Sequence, residues 1–252
     1  VAVKRPVPLI RYLLPLAFLA LWQAAVAAKL LDPLFFPPPS QLAATLVRMV
    51  RYGDLFPQMR LTLVRTAAGF VPGALAGILC GTAMGMSRTI RQTLEPSLSA
   101  LYTLPKMTLL PMLMVLAGTG EAPRVILIAA AVWLQVSMHT LDGVSSIDAH
   151  YVEMAMNLRA NRAMRFRRVY LPASAPQVFT GLRLGLGRAV GIAITSELLM
   201  AAGGLGGVLM RSWQSFAIDR VYASVIVVAL LGVAVHNGLR SLESRLLPWR
   251  AR

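Results

Sequence analysis

Six stretches of this chain, near residues 9–31, 62–86, 97–117, 124–141, 178–201 and 221–239, stay apolar for about the 20 residues that a helix needs to cross the hydrocarbon of a bilayer. Each backbone N–H and C=O buried in lipid must be satisfied within its own segment, and a helix does this. The chain is 57% hydrophobic and only 14% charged, with a mean hydropathy of +0.65, which is too apolar for a water-soluble domain. The expected fold is therefore an all-α integral membrane protein with six transmembrane helices. No linker, low-complexity tract or repeat of 20 to 50 residues divides residues 1–252, so one domain is expected.

Lys and Arg number 25 against 10 Asp and Glu. Such an excess suits nucleic acid, anionic lipid or basic loops that anchor spans, and its distribution favours the loops. If the spans alternate, sixteen basic residues share one side: Lys4, Arg5, Arg11, Arg88, Arg91, the five arginines from Arg159 to Arg168, Arg183, Arg188, Arg240, Arg245, Arg250 and Arg252. Eight lie opposite: Lys29, Arg48, Arg51, Arg60, Arg65, Arg124, Arg211 and Arg220. The positive-inside rule then puts both termini and a loop over 142–176 in the cytoplasm. Membrane lipid is an implied partner, and nucleic acid is not. Lys4 and Arg5 before an apolar core, with Ala25-Val26-Ala27 after it, also suit a secretory signal; its removal would leave the other five spans oriented as before.

Several features inside the spans ask for an explanation. Gly69, Gly73, Gly77, Gly81 and Gly85 recur every four residues and make a close-packing seam, within one subunit or between two copies. Gly181 and Gly185, then Gly187 and Gly191, repeat the device, and the nearby Arg183 and Arg188 are expected to snorkel to the cytoplasmic surface. Lys106, between Pro105 and Pro111, falls near mid-membrane, where a charge costs roughly 2.5 to 3.5 kcal/mol. It either lines a pathway, snorkels, or pairs with carbonyls that proline has freed. Glu197 is the matching acidic residue, lining a path or reaching water at a helix end. Between the first two spans, Pro37-Pro38-Pro39 stiffens a connector and Ser40 can cap a short surface helix carrying Leu42, Leu46, Met49 and Val50 on one face.

Catalytic signals are missing. Cys80 stands alone, His139, His150 and His236 form no ligand cluster, and no phosphate-binding G-x-x-x-x-G-K-[ST] loop or Ser-His-acid set occurs. A chain with no metal site and no cofactor of its own must draw its energy from elsewhere.

The polar island Glu153–Pro172, with its five arginines, supplies the missing context. Glu153, Met154 and Ala155, followed at fixed distance by Val169, Leu171 and Pro172, resemble the coupling-loop signature of permease subunits of ATP-binding-cassette importers. Met154 stands where that family usually has Ala, and Arg159 where it has Gly. The resemblance continues through Leu34-Phe35-Phe36-Pro37-Pro38-Pro39-Ser40, Gly77 to Ser87, Pro105 to Pro111, Gly118-Thr119-Gly120-Glu121, Phe179-Thr180-Gly181-Leu182-Arg183 and Glu197-Leu198-Leu199. It covers roughly residues 12–247 and is nearest to the group that imports nitrate, sulfonates such as taurine, bicarbonate and some vitamin precursors.

That resemblance implies a subunit without catalysis of its own, in a bacterial inner membrane, that pairs with a second permease copy, two cytoplasmic ATPases and an external solute-binding protein. ATP would be bound by the partner ATPase. Glu153, Met154, Ala155, Leu158, Arg159 and Ala160 would form a coupling helix that docks on the ATPase, with Leu171 and Pro172 behind it. Arg162, Arg165, Arg167 and Arg168 would either anchor the loop or meet ATPase acids. Gly at position 159 would break the helix by taking positive φ; with Arg there, either Asn161 supplies the turn or the helix runs on. Lys106 and Glu197 are the candidate pathway residues, and the basic residues lean toward a small anion as solute. An ion-coupled secondary transporter or channel using the same two charges is the alternative from another class.

Overall fold

The computed structural model describes residues 10–53 and 55–247, for 10–12 and 162 the backbone alone. Lys4, Arg5, Arg250 and Arg252 of the charge count lie outside the described residues. The described residues form helices and no strand: α1 Ile10–Ala27, α2 Pro39–Arg51, α3 Leu55–Met86, α4 Arg88–Thr103, α5 Leu110–Ala117, α6 Ala122–Ser145, α7 Ala149–Asn157, α8 Arg162–Arg165, α9 Leu171–Leu199, α10 Leu205–Gln214 and α11 Ile218–Leu246. A 3₁₀ turn, Lys106–Leu109, precedes α5, and a π turn, Phe166–Tyr170, joins α8 to α9.

The glycine seam of α3 closes inside the chain, against α6. A Cβ on Gly69 would stand 2.5 Å from Ile128, one on Gly77 2.7 Å from Val136 and one on Gly85 2.5 Å from Val144. Gly73 likewise meets Ala129 and Val132, and Gly81 meets Ser137 and Thr140. Both helices advance four residues at each step, so they run parallel, backbone against backbone. α9 lies antiparallel on the other flank of α6, with Gly181 against His139 and Gly185 against Val136 and Val132. Ala74, Ile128, Val132, Val136, Ala189 and Ala193 fill the space where the three meet. Gly187 and Gly191 do not continue that seam: both face open space.

Parallel neighbours need a return path between them, and α4 with α5 provides it in broken form. The expected straight span over 97–117 is instead two helices bent by 91°. Pro105 has no N–H to donate and disfavours helical backbone at the residue before it, and Leu104 is extended at φ −63°, ψ 137°. Pro111 sits at the start of α5, where a missing donor costs nothing. Four single helices, Leu55–Met86, Ala122–Ser145, Ala163–Leu199 and Ile218–Leu246, are long and apolar enough to span, and the bent pair makes a fifth. The sixth expected span, over 9–31, is not among them: its apolar helix among the described residues runs over Leu13–Ala27, at the edge of what is described.

α2 also differs from expectation. Ser40 does not cap it: the helix starts at Pro39, with Pro38 in the cap position and no side-chain cap. Its buried face is Leu42, Thr45 and Met49, while Val50 is exposed. Thr45 Oγ1 donates to Asp219 Oδ2 at 2.7 Å, fastening α2 to the start of α11.

Substituting Gly81 by Ala should drive a methyl into the Ser137 carbonyl and Thr140. Overpacking of this kind costs about 1 to 3 kcal/mol, so Gly81→Ala should melt earlier in detergent, while Gly232→Ala, whose Cβ meets open space, should not. Equal melting of the two variants would contradict the seam.

Candidate functional site

Three features stand out from the bundle: an apolar groove in the loop between α6 and α9, an ion network where α3, α6 and α9 meet, and a pair of cations beside the break of α4 and α5.

The loop begins with α7, which Asp148 caps by accepting from the His150 N–H at 2.9 Å. Its other end settles the question posed by Arg159. The Ala160 N–H donates to the Ala155 carbonyl at 3.0 Å and the Arg159 N–H to Met156 at 2.8 Å, the paired bonds of a Schellman ending. Arg159 itself takes the left-handed turn, at φ 56°. The helix therefore does not run on, and Asn161 serves the next helix instead, where its Oδ1 accepts from the Met164 N–H at 2.8 Å and starts α8. The π turn then leads into α9, where Leu171 N–H reaches back to Phe166, an i→i+5 insertion of the kind frequent at functional sites.

Between α7 and the start of α9 lies a groove of about 470 Å³, whose walls include Tyr151, Met154, Leu158, Met164, Val169 and Pro172. Ala155, half-buried, and Ala160 also line it, with Arg165 and Arg168. Of the predicted coupling residues, Met154, Ala155, Leu158, Ala160 and Pro172 thus share one surface. Glu153, Arg159 and Leu171 are exposed beside it. Leu158 is 77% exposed and Tyr151 63%, an apolar surface left without cover among the described residues.

The ion network is only partly legible in the sequence. Glu197 is fully buried and does not reach water. Thr62 Oγ1 donates to it at 2.9 Å, Arg65 Nη1 at 2.9 Å and the Gly206 N–H at 3.1 Å. Arg65 also grips Glu121 through Nε and Nη2, each at 2.6 Å, and donates to the Gly203 carbonyl. Arg124 Nη1 completes the chain to Glu121 at 2.8 Å. Arg65 and Arg124, counted above as loop charges, are both buried. The Arg65 guanidinium hydrogen-bonded to it holds the Glu121 carboxyl below the usual carboxylate range. Thr62 Oγ1 also accepts from the Leu205 N–H at 3.0 Å, so the network fixes the 200–205 turn and the start of α10. The available signal is two arginines near the ends of apolar runs with two acids to match, but their pairing requires the parallel register of α3 and α6.

Lys106 and Glu197 are not brought together. Lys106 Nζ donates to the carbonyls of Tyr102 at 2.9 Å and Leu104 at 3.3 Å, at the end of α4. Arg188 lies near the middle of α9, not in its first turns, because that helix starts at Leu171; its Nη2 donates to the Tyr102 hydroxyl at 3.1 Å. Arg183 pairs with Glu243 of α11 at 3.1 Å.

Residues 73–248 match the family described as the inner membrane component of binding-protein-dependent transport systems. The chain belongs to this family. It is 33% identical to the taurine transport system permease protein of Escherichia coli (strain K12), over 92% of this chain and 86% of that one. It is 30% identical to a protein of Bacillus subtilis (strain 168) named as an aliphatic sulfonates transport permease, over 94% and 86%. Its fold is that of an amino acid ABC transporter crystallised with histidines, at TM-score 0.64 and 19% identity over 81% of this chain and 97% of that one. This permease is accordingly a multi-pass inner-membrane subunit of an ABC importer, without catalysis of its own; ATP is hydrolysed on separate subunits. The secondary transporter or channel is set aside by that membership.

Two outcomes follow for the permease. Breaking one side of a buried ion pair typically costs about 3 to 5 kcal/mol, so Glu197→Gln should lower folded yield while the molecules that fold transport at the normal rate; normal yield with lost transport would place Glu197 on the path instead. A left-handed Arg costs about 1 to 2 kcal/mol more than Gly, so Arg159→Gly should slow amide exchange over residues 149–160. Faster exchange there would contradict the strain.

Proposed function

We propose that this chain forms the solute pathway of a sulfonate importer, with taurine the type of solute, and passes the motion of cytoplasmic ATPases to the spans through the α7 groove. The observation that carries the coupling role is that groove: an open, apolar surface edged by Arg165 and Arg168 and built from Met154, Ala155, Leu158, Ala160 and Pro172. Glu153, Arg159 and Leu171 form its margins. A helix from this loop seated in an ATPase cleft would tilt α6 and α9 together, since both leave the loop directly. Support for the solute class comes from the relatives named for taurine and aliphatic sulfonates, which favour a sulfonate over nitrate, bicarbonate or a vitamin precursor.

The full assembly in this reading holds two copies of the chain, two ATPases that bind the ATP, and an external protein that delivers solute. The loop and both termini face the cytoplasm, in keeping with the arginine count. Lys106 belongs to the path; Glu197, closed into its network, belongs to the framework that shapes it.

Cells lacking other sulfonate uptake, supplied with this permease, its ATPase and its binding protein, test both parts. Uptake of radiolabelled taurine should appear and should stop on ATP depletion. Ala155→Trp should fill the groove, lowering ATPase co-purification and uptake together while the spans still insert. Normal co-purification and normal uptake with Trp at 155 would show that the groove meets no partner, and uptake that survives ATP depletion would overturn the mechanism.

A further inference from the structure

Two cations meet over one aromatic ring halfway through the bundle, and among the described residues neither has a carboxylate partner. Lys106 Nζ lies 5.3 Å from the centre of the Tyr102 ring and the Arg188 guanidinium 5.0 Å. The Tyr102 hydroxyl, which accepts from Arg188, donates to Gln135 Oε1 at 3.0 Å. Gln135 is buried in the middle of α6, and this bond sets the depth of the cluster.

A single cation at that depth is costly, and a second one beside it adds repulsion. The ring quadrupole and the Tyr102 and Leu104 carbonyls offset part of this but leave the positive charge uncompensated. Arg188 is exposed in the single chain. Gly187 and Gly191, beside it on α9, meet nothing within 4 Å, so an open strip of helix runs past the guanidinium. Exposed in mid-span, Arg188 requires a polar surrounding rather than lipid tails.

We infer that Lys106 and Arg188, held on Tyr102 at the break of α4 and α5, bind the sulfonate group of the solute as it crosses. The inference rests on the sulfonate reading above and deepens it. A tetrahedral anion offers three oxygens, enough to meet the paired N–H groups of a guanidinium and an ammonium together. The depth rules against a lipid headgroup, which stays at the membrane surface. A carboxylate from a second copy is the other acid that could reach Arg188, and the experiment separates it.

The purified complex of this permease with its ATPase, in nanodiscs of zwitterionic lipid, is titrated with radiolabelled ethanesulfonate. Wild type should bind. Lys106→Met and Arg188→Met should each weaken binding at least tenfold, and Arg188→Lys should keep part of it. Gly191→Glu adds a carboxylate on the open strip without disturbing packing, and it should abolish binding even if the Met variants fold poorly. Unchanged affinity in these variants overturns the site, as does a loss of permease dimer in Arg188→Met with binding retained, which would mark Arg188 as an interface pair. If cells import taurine and the variants bind normally, only this site fails. If no sulfonate enters cells carrying wild type, the solute class fails and the site with it.

Discussion

The ion network and the loop that carries α7 are both positioned by the contact of α3 with α6. Five glycines on one helix remove the side chains that would hold two backbones apart, and the facing positions on α6 follow at the same four-residue step. In lipid there is no hydrophobic gain from bringing helices together, so such close approach, with its dispersion contacts, is the available source of cohesion. Because the two helices run parallel, their first turns lie at one end and their last turns at the other. The ion network forms at the first end and the loop that carries α7 leaves from the second.

The network gains its logic from this register. Arg65 and Arg124 are buried charges that would be prohibitive alone. The register delivers Glu121 between them, and α9 returns Glu197 to the same point, so each guanidinium has an acid and the remaining Arg65 donor meets the Gly203 carbonyl. The result is a rigid cap at one end of the bundle. In the proposed coupling, motion entering at the loop end would meet this cap and show as tilt or at the bend at Leu104 and Pro105.

Much of this is legible in the sequence, and the misses have physical causes. The glycine period, the apolar runs and the loop signature each depend on local spacing, and α3, α6, α9 and α11 have their expected identities. Hydropathy makes one helix of the span over 97–117 because it is blind to direction; Pro105 marks a place where a helix can break, but Pro72, Pro96 and Pro176 sit inside unbroken helices, so proline alone does not decide it. At Arg159 the cost of positive φ points to a helix end elsewhere; instead the Schellman bonds of Ala160 and Arg159 hold it left-handed. Arg183 and Arg188 look like surface residues only while α9 is started near residue 178, seven residues late. Glu197 looks water-facing since its partners, Thr62 and Arg65, lie more than 130 residues away in the chain, a distance that no local pattern spans.

Whether ATPase motion enters the permease through α7 and its groove is tested most directly by a cross-link from Leu158, 77% exposed on that groove. Leu158→Cys, in a chain whose Cys80 is replaced by Ser, is treated with a short bifunctional thiol reagent in the assembled transporter. A covalent product between permease and ATPase is expected, with a yield that changes when nucleotide closes the ATPase pair. An intact complex that gives no such product from position 158, with or without nucleotide, would contradict it.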